Sequence, residues 1–120
     1  MLTSDSNSAR IILFMTDKIV VFCTCATEEE AGKLAQVLVE ARVAACVTIL
    51  PGARSIYRWQ GAIESSAECL LMIKSSRRLF EALCVTLERA HSYEVPEVLA
   101  LPVVDGAANY LNWLEAQLRA

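Results

Sequence analysis

The stretch "KIVVFCTCATEEEAGKLAQVLVEAR", residues 18–42, predicts a strand followed at once by a helix. Residues 18–25 are mostly β-branched, aromatic or cysteine, which is typical of a strand that is apolar on both faces. Thr27 and Glu30 have the spacing of a helix capping box. Leu34 and Leu38 then recur at helical spacing, so one stripe of the helix faces a core. This stretch therefore predicts the first half of a strand–helix–strand unit.

A long hairpin is predicted after this helix. Strand character returns at residues 43–50 and again at residues 53–59. Pro51 lies between them and cannot donate to a strand ladder, so we expect a bend or bulge in a strand at the edge of a sheet. Gln60-Gly61 predicts a tight turn, from which residues 62–76 run back as the second strand of the hairpin.

The remaining elements complete a mixed α+β fold. Residues 77–90 have a helical pattern, residues 97–104 have strand character, and residues 108–120 close the chain as a short helix. The order strand, helix, strand, strand, helix, strand is the split βαβ or ferredoxin-like arrangement. Right-handed crossovers would place the two main helices on one face of an antiparallel sheet.

The opposite face of this sheet has no helical cover within the core unit. Residues 18–25, 69–73 and 98–104 are nevertheless apolar on both faces, whereas a solvent-facing strand would alternate. A large apolar face marks an interaction surface. The sequence therefore predicts an oligomer in which the sheets of neighbouring subunits pack on one another.

Length and composition favour a single acidic domain. We predict that residues 17–120 form the domain and that residues 1–16 are an N-terminal tail. The net charge of −3 gives no basic surface for nucleic acid, and no apolar run reaches the length of a membrane span. The five cysteines are scattered and odd in number, which favours reduced thiols and a cytoplasmic location.

Several segments resemble the CutA divalent-cation tolerance proteins. They are "VFCTC", "LAQVLVEARVAACVTILPGARSIYRWQGAIE", "HSYEVPEVLALPV" and "YLNWL", which together span roughly residues 19–118 in the family's order. The resemblance implies a ferredoxin-like homotrimer, similar in architecture to the PII signalling proteins. It also implies a role in tolerance to copper and other divalent metals, with copper binding through Cys23 and His91. The family's other histidine corresponds to Ala90, where this sequence departs from the pattern.

The residues themselves leave the role of Cys23 and His91 open. Cys23 and Cys25 share one strand face, so both thiols could approach a soft ion such as Cu(I), although buried cysteine is also a common apolar filler. His91 follows the second helix. It is either a residue that bonds the last helix carbonyls, a metal ligand, or a group that transfers a proton or contacts a small molecule.

The sequence favours a metal-response protein over an enzyme. It contains no phosphate-binding glycine loop and only one histidine, and no spacing supports a catalytic constellation. The alternative function is a PII-like trimeric signalling or scaffold protein that binds a small molecule or a protein at clefts between subunits. Four aromatic residues would line such clefts or anchor the interface: Tyr57, Trp59, Tyr93 and Trp113.

Overall fold

A computed structural model describes residues 16–120, which form a four-stranded antiparallel sheet and three helices. The strands are β1 (Lys18–Cys25), β2 (Cys46–Trp59), β3 (Ala62–Ser76) and β4 (Leu99–Pro102). Their order in the sheet is β2-β3-β1-β4. The helices are α1 (Glu28–Glu40), α2 (Phe80–Ala90) and α3 (Ala108–Gln117), and a 3₁₀ turn at Arg77–Leu79 leads into α2. The predicted ferredoxin-like order is confirmed.

The hydrophobic core lies between the sheet and the first two helices. Every second residue of β1 points into it, beginning with Ile19 and Val21, and Leu71 and Ile73 of β3 lie beside them. The remaining members of this cluster from the two helices include Ala31, Leu34, Leu38, Leu83 and Leu87. The apolar stripe predicted from helical spacing is therefore the buried face of α1, and α2 buries an equivalent face.

The start of α1 shows half of the predicted capping box. The Thr27 hydroxyl accepts a hydrogen bond from the Glu30 backbone N–H at 3.1 Å. The Glu30 carboxylate instead bonds Ser92, beyond the end of α2. Glu30 therefore joins two parts of the fold, a role that the local pattern did not indicate.

The hairpin has the predicted irregularity and the predicted turn. The pairing of β2 with β3 shifts register between Leu50 and Ala53, at the Pro51-Gly52 bulge, and β2 is an edge strand. Gln60 and Gly61 form the turn with φ angles of 48° and 81°. The predicted bulge in an edge strand is confirmed, because β2 continues through Pro51-Gly52 as a single strand.

Two strand boundaries also differ from the prediction. The chain leaves α1 through Arg42, which has a φ of 58°, and β2 begins only at Cys46 because Val43 and Ala44 donate to the Leu38 carbonyl. The last strand is four residues long, although residues 97–104 had strand character. Beyond Pro102, the Val103 carbonyl accepts bonds from Thr16. Residues 1–15 of the predicted tail lie outside the described part of the chain.

The second face of the sheet carries a row of apolar side chains that residues 16–120 leave half-buried or exposed. Phe22 of β1 lies between Met72 of β3 and Leu99 of β4 in the register of the sheet, and Val20 lies beside Leu101. Leu99 is 59 % exposed and Leu101 is 44 % exposed in a single chain. We call this surface the open face: Val20, Phe22, Leu70, Met72, Leu99 and Leu101. Within residues 16–120, no helix has the length and apolar character needed to cross a membrane.

Candidate functional site

The site begins where α2 ends. His91 is the C-cap residue of α2, with φ −75° and ψ 143°, and its backbone N–H donates to the Leu87 carbonyl at 2.9 Å. The extended backbone at His91 stops the helix and turns its imidazole toward β1. The prediction that His91 lies at the end of this helix is confirmed.

Both imidazole nitrogens of His91 are engaged. Nδ1 accepts a hydrogen bond from the Tyr93 backbone N–H at 2.9 Å. Nε2 lies 2.7 Å from the Thr24 carbonyl oxygen, and a carbonyl only accepts, so Nε2 must carry the proton. This pattern fits a neutral ring with one fixed tautomer. The side chain does not bond the last carbonyls of α2, so the capping interpretation was wrong for the imidazole and holds only for the backbone.

Glu30 holds the loop after α2 against the start of α1. Its carboxylate accepts bonds from the Ser92 backbone N–H at 2.8 Å and from the Ser92 hydroxyl at 2.9 Å. One of its oxygens also lies 3.7 Å from Nδ1 of His91. Burial raises the pKa of Glu30, but the two Ser92 bonds outweigh it and the net pKa is lowered. The carboxylate is therefore kept ionised and fixes the position of His91.

Cys23 and His91 meet at the same backbone carbonyl. The Cys23 thiol donates to the Thr24 oxygen at 3.6 Å, and this oxygen also accepts the bond from His91. Cys23 is fully buried in the core cluster, and Cys25 lies on the same face of β1. Burial raises the pKa of Cys23 to about 12 and that of Cys25 to about 11. Both groups are thiols at neutral pH, and a thiol is a poor metal ligand until it loses its proton.

A cleft of about 680 Å³ lies beside this centre. One wall is the outer part of β2, with Tyr57 and Trp59, and the other is the loop from Tyr93 to Glu97. We call it the arm cleft and define it by its lining: Thr24, Ser55, Ile56, Tyr57, Trp59, Glu68, Tyr93, Glu94, Val95 and Glu97. Three of the four aromatic residues singled out in the sequence therefore line one cleft.

Tyr93 and Glu68 fix the floor of the arm cleft. The Tyr93 hydroxyl donates to the Glu68 carboxylate at 2.8 Å. Burial and the neighbouring Glu68 charge both raise the pKa of Tyr93, so its hydroxyl stays a donor. Glu68 is only 7 % exposed, and no salt bridge from residues 16–120 reaches it. It is a buried carboxylate at the edge of an open cleft.

The fourth aromatic residue and two basic side chains of the hairpin lie outside this centre. Trp113 is on α3, where it contacts Tyr110. Lys74 lies on β3 and donates to the Thr48 hydroxyl, and Arg58 contacts the Gly61 carbonyl near the hairpin turn. In the part of the chain that the structure describes, no group of three or more His, Cys, Asp or Glu side chains is placed to hold a metal ion.

The sequence did not indicate the roles of Glu68, Glu30 and Ser92 in this site. Each acquires its role through a partner at least 25 positions away in the chain. Glu68 did carry one signal, because it is a charged residue directly before the apolar run Cys69–Ile73 of β3. A carboxylate at the first buried position of a strand is uncommon without a partner.

The chain matches a family model over most of its length. The CutA1 divalent ion tolerance protein model matches residues 19–117. The divalent-cation tolerance protein CutA of Pectobacterium atrosepticum is 46 % identical over 105 residues, which cover 88 % of this chain and 96 % of the relative. The protein of that name from Thermus thermophilus is also 46 % identical, over 79 % of this chain and 92 % of its own.

Solved structures agree in fold. CutA from Xylella fastidiosa has a TM-score of 0.85 at 40 % identity, with 87 % of this chain and all of that chain covered. CutA1 from Oryza sativa has a TM-score of 0.85 at 40 % identity and covers 88 % of this chain and 97 % of its own. The family model, the sequence relatives and the solved structures all point to the same family. The chain belongs to the CutA1 divalent ion tolerance protein family.

Proposed function

We propose that this protein acts in divalent-cation tolerance as a homotrimer and carries out no catalytic step. The match of residues 19–117 to the divalent ion tolerance family carries the metal-tolerance part of the proposal. The open face supports the assembly, because packing it against other copies removes exposed leucine side chains from water at about 25 cal/mol per Å². The hairpin beyond Pro51 supports it too, since its exposed Ile56 and Ile63 would gain cover from a neighbouring subunit.

Copper is the metal of this proposal, with Cys23 as the principal ligand and His91 as a weaker one. Thiolate and imidazole suit Cu(I), and both side chains reach the Thr24 carbonyl. Binding must displace the Cys23 proton, whose pKa is about 12, and release one hydrogen bond of His91. We therefore expect weak affinity that rises about tenfold per pH unit, since one proton is released for each ion bound.

Titration of the reduced protein with Cu(I) tests this site. We expect Cys23→Ser to weaken binding by about tenfold or more and His91→Gln to weaken it less. A histidine introduced by Ala90→His should strengthen binding. Cys84→Ser is the matched control, because Cys84 is a half-buried thiol on α2 outside the site. Equal affinity in the wild type and Cys23→Ser would contradict the assignment.

A non-catalytic role agrees with the chemistry of the site. The hydrogen bonds of His91 leave no free lone pair for a general base, and the raised pKa values of Cys23 and Cys25 disfavour a thiolate nucleophile. Free cysteines at all five positions support a cytoplasmic location. Relatives differ in this respect, since one from Arabidopsis thaliana is named chloroplastic and one from Archaeoglobus fulgidus is described as periplasmic.

The arm cleft supports a second candidate function, that of a trimeric signalling or scaffold protein that binds a small molecule or a protein. Its volume of about 680 Å³ lies in the range of small-molecule sites. The burial of Cys23 also favours this candidate, because the thiol faces the core. Copper titration separates the two: unchanged binding in Cys23→Ser together with a ligand in the arm cleft would favour the scaffold.

A further inference from the structure

Two of the cysteines lie directly opposite each other in the sheet. Cys25, the last residue of β1, is the register partner of Cys69 on β3. Both are free thiols of the hydrophobic core, with Cys25 fully buried and Cys69 4 % exposed in a single chain. Neither is a ligand of the proposed copper site, so the function proposed above leaves this pair without a role.

The pairing meets the geometric requirement of a disulfide. Opposed residues of two antiparallel strands have Cα atoms about 4.5–5.5 Å apart, and a disulfide joins Cα atoms about 4.4–6.8 Å apart. Cys25 continues the core-facing row of β1, and Cys69 continues that of β3. The two thiols therefore lie on the same side of the sheet and within reach of each other.

The register selects this pair among the cysteines. Cys23 lies opposite Leu71, and Cys46 lies opposite Lys74. Neighbours on one face of a single strand, such as Cys23 and Cys25, are about 7 Å apart, which is at the limit for a disulfide.

Both members of the pair lie where the sheet opens most easily. β1 ends at Cys25, and terminal residues of an element fray more readily than its middle. Cys69 lies opposite the Pro51-Gly52 bulge, where the ladder between β2 and β3 shifts register. A bulge disrupts a ladder locally. A small oxidant can therefore reach the two thiols, and the backbone beside them can adjust to a new bond.

We propose that Cys25 and Cys69 form a reversible disulfide under oxidising conditions and so fasten the end of β1 to β3. With a peroxide as the oxidant, the first sulfur takes one peroxide oxygen as a sulfenic acid, and the other oxygen leaves as water. The second sulfur then attacks the sulfenic sulfur and releases a second water. The two thiols lose two electrons and both protons, which end in the water molecules. An added thiol reverses the bond by exchange.

The bond restrains the site described above. Cys25 follows Thr24, whose carbonyl oxygen accepts the bonds from Cys23 and His91. Joining Cys25 to β3 fixes the backbone on one side of this carbonyl. We expect the reaction to take on the order of hours, because burial disfavours the reactive thiolate.

Peptide mapping of the oxidised protein tests the pairing. The reduced full chain is treated with hydrogen peroxide, the remaining thiols are alkylated, and the protein is digested with trypsin without reductant. Cleavage after lysine and arginine leaves Cys69 in peptide 59–74 and Cys25 in peptide 19–33, which also contains Cys23. We expect the two peptides to be linked through Cys25, with the alkyl group on Cys23, and the link to disappear with dithiothreitol.

Substitutions separate this bond from other effects of the oxidant. Cys25→Ala and Cys69→Val should each abolish the link while they keep an apolar side chain in the core. Cys46→Ala is the matched control, because it removes a thiol of β2 outside the pair. Oxidation should raise the melting temperature of the wild type and of this control, since the cross-link restricts the unfolded chain. It should not raise that of Cys69→Val.

Three results would overturn the proposal. They are the absence of the linked peptides after oxidation, a link through Cys23 in place of Cys25, and a covalent dimer in a non-reducing gel, which would place the bond between two chains. Copper titration and sedimentation use the reduced protein, so the proposed function and this disulfide can each fail without the other.

Discussion

The polar contacts around His91 link two distant parts of the chain. His91 bonds Thr24 across 67 positions, and Glu30 bonds Ser92 across 62. Pro96 requires α2 to have ended before Val95, because proline disfavours helical geometry in the residue before it. The partners of His91 and Glu30 were not predictable, since they depend on how α2 packs over β1. Tyr93 and Glu68 illustrate the same limit: both residue types were visible, but their contact was not.

Removal of the His91 ring should destabilise the fold. His91→Ala leaves the Thr24 carbonyl and the Tyr93 N–H without their partners in a site where the imidazole is 0 % exposed. We expect a loss of about 2–3 kcal/mol, because each buried polar group left unpaired costs about 1–3 kcal/mol. Urea unfolding at fixed protein concentration measures it. A loss below about 0.5 kcal/mol, the range of ordinary surface substitutions, would refute the structural role of this ring.

Glu30 should make stability depend on acid pH. The Ser92 hydrogen bonds hold its pKa in the folded protein below the usual range of a glutamate, so the folded state favours the ionised form. The stabilisation is fully present above the unfolded pKa and is lost as the pH falls through the folded pKa. The difference in unfolding free energy between the wild type and Glu30→Gln should therefore be largest near neutral pH and shrink below about pH 4.5. A difference that stays constant across this range would contradict the ionised assignment.

Helices and strands begin, bend and turn where the sequence predicts them at residues that restrict the backbone. The capping residue Thr27, the Pro51 bulge and the Gln60-Gly61 turn were all predictable, because each restricts φ or removes a donor. The start of β2 and the end of β4 were not predictable. The residues at 43–45 and 103–104 are apolar and have strand propensity, although they lie outside the strands. Hydrogen bonds from Val43 and Ala44 to the Leu38 carbonyl decide the first of these boundaries.

Two glycines provide a matched test of the backbone conformations in the β2 bulge and in α1. Gly52 in the bulge has a φ of 80°, whereas Gly32 is exposed within α1, and an added Cβ meets nothing within 4 Å at either position. We expect Gly52→Ala to destabilise by about 1 kcal/mol through backbone strain alone. Gly32→Ala should stabilise by about 1 kcal/mol through helix propensity. Unfolding changes of the same sign in both variants would contradict the conformations assigned to them.

At the scale of the whole molecule, the open face was predictable from strands that are apolar on both sides. The number of subunits was not, since it came from the family resemblance and not from any spacing. The arm cleft was not predictable either, because β2 must pass through its bulge before Trp59 can lie opposite the loop after α2. The open face and the cleft lie on one sheet but share no residue, so substitutions can test assembly and ligand binding separately.

Substitutions at Leu99 and Val85 distinguish an effect on assembly from a general effect of a new surface charge. Both are exposed in a single chain, at 59 % and 45 %, but Leu99 lies on the open face and Val85 lies on α2. Leu99→Glu should dissociate the proposed trimer, because it places a charge in an apolar interface without a partner. Val85→Glu should leave the assembly intact. Size-exclusion chromatography of the two variants measures the difference, and dissociation of both or of neither would argue against an interface at the open face.

Sedimentation equilibrium of the wild-type protein at about micromolar concentration is the direct test of the proposed homotrimer, since a stable obligate assembly must persist there. One chain has a mass of 13.2 kDa. The proposed homotrimer with packed open faces predicts a single species with the mass of three chains and no detectable dissociation on dilution. A stable monomer at that concentration would contradict the account, because the leucines of the open face would then remain in water.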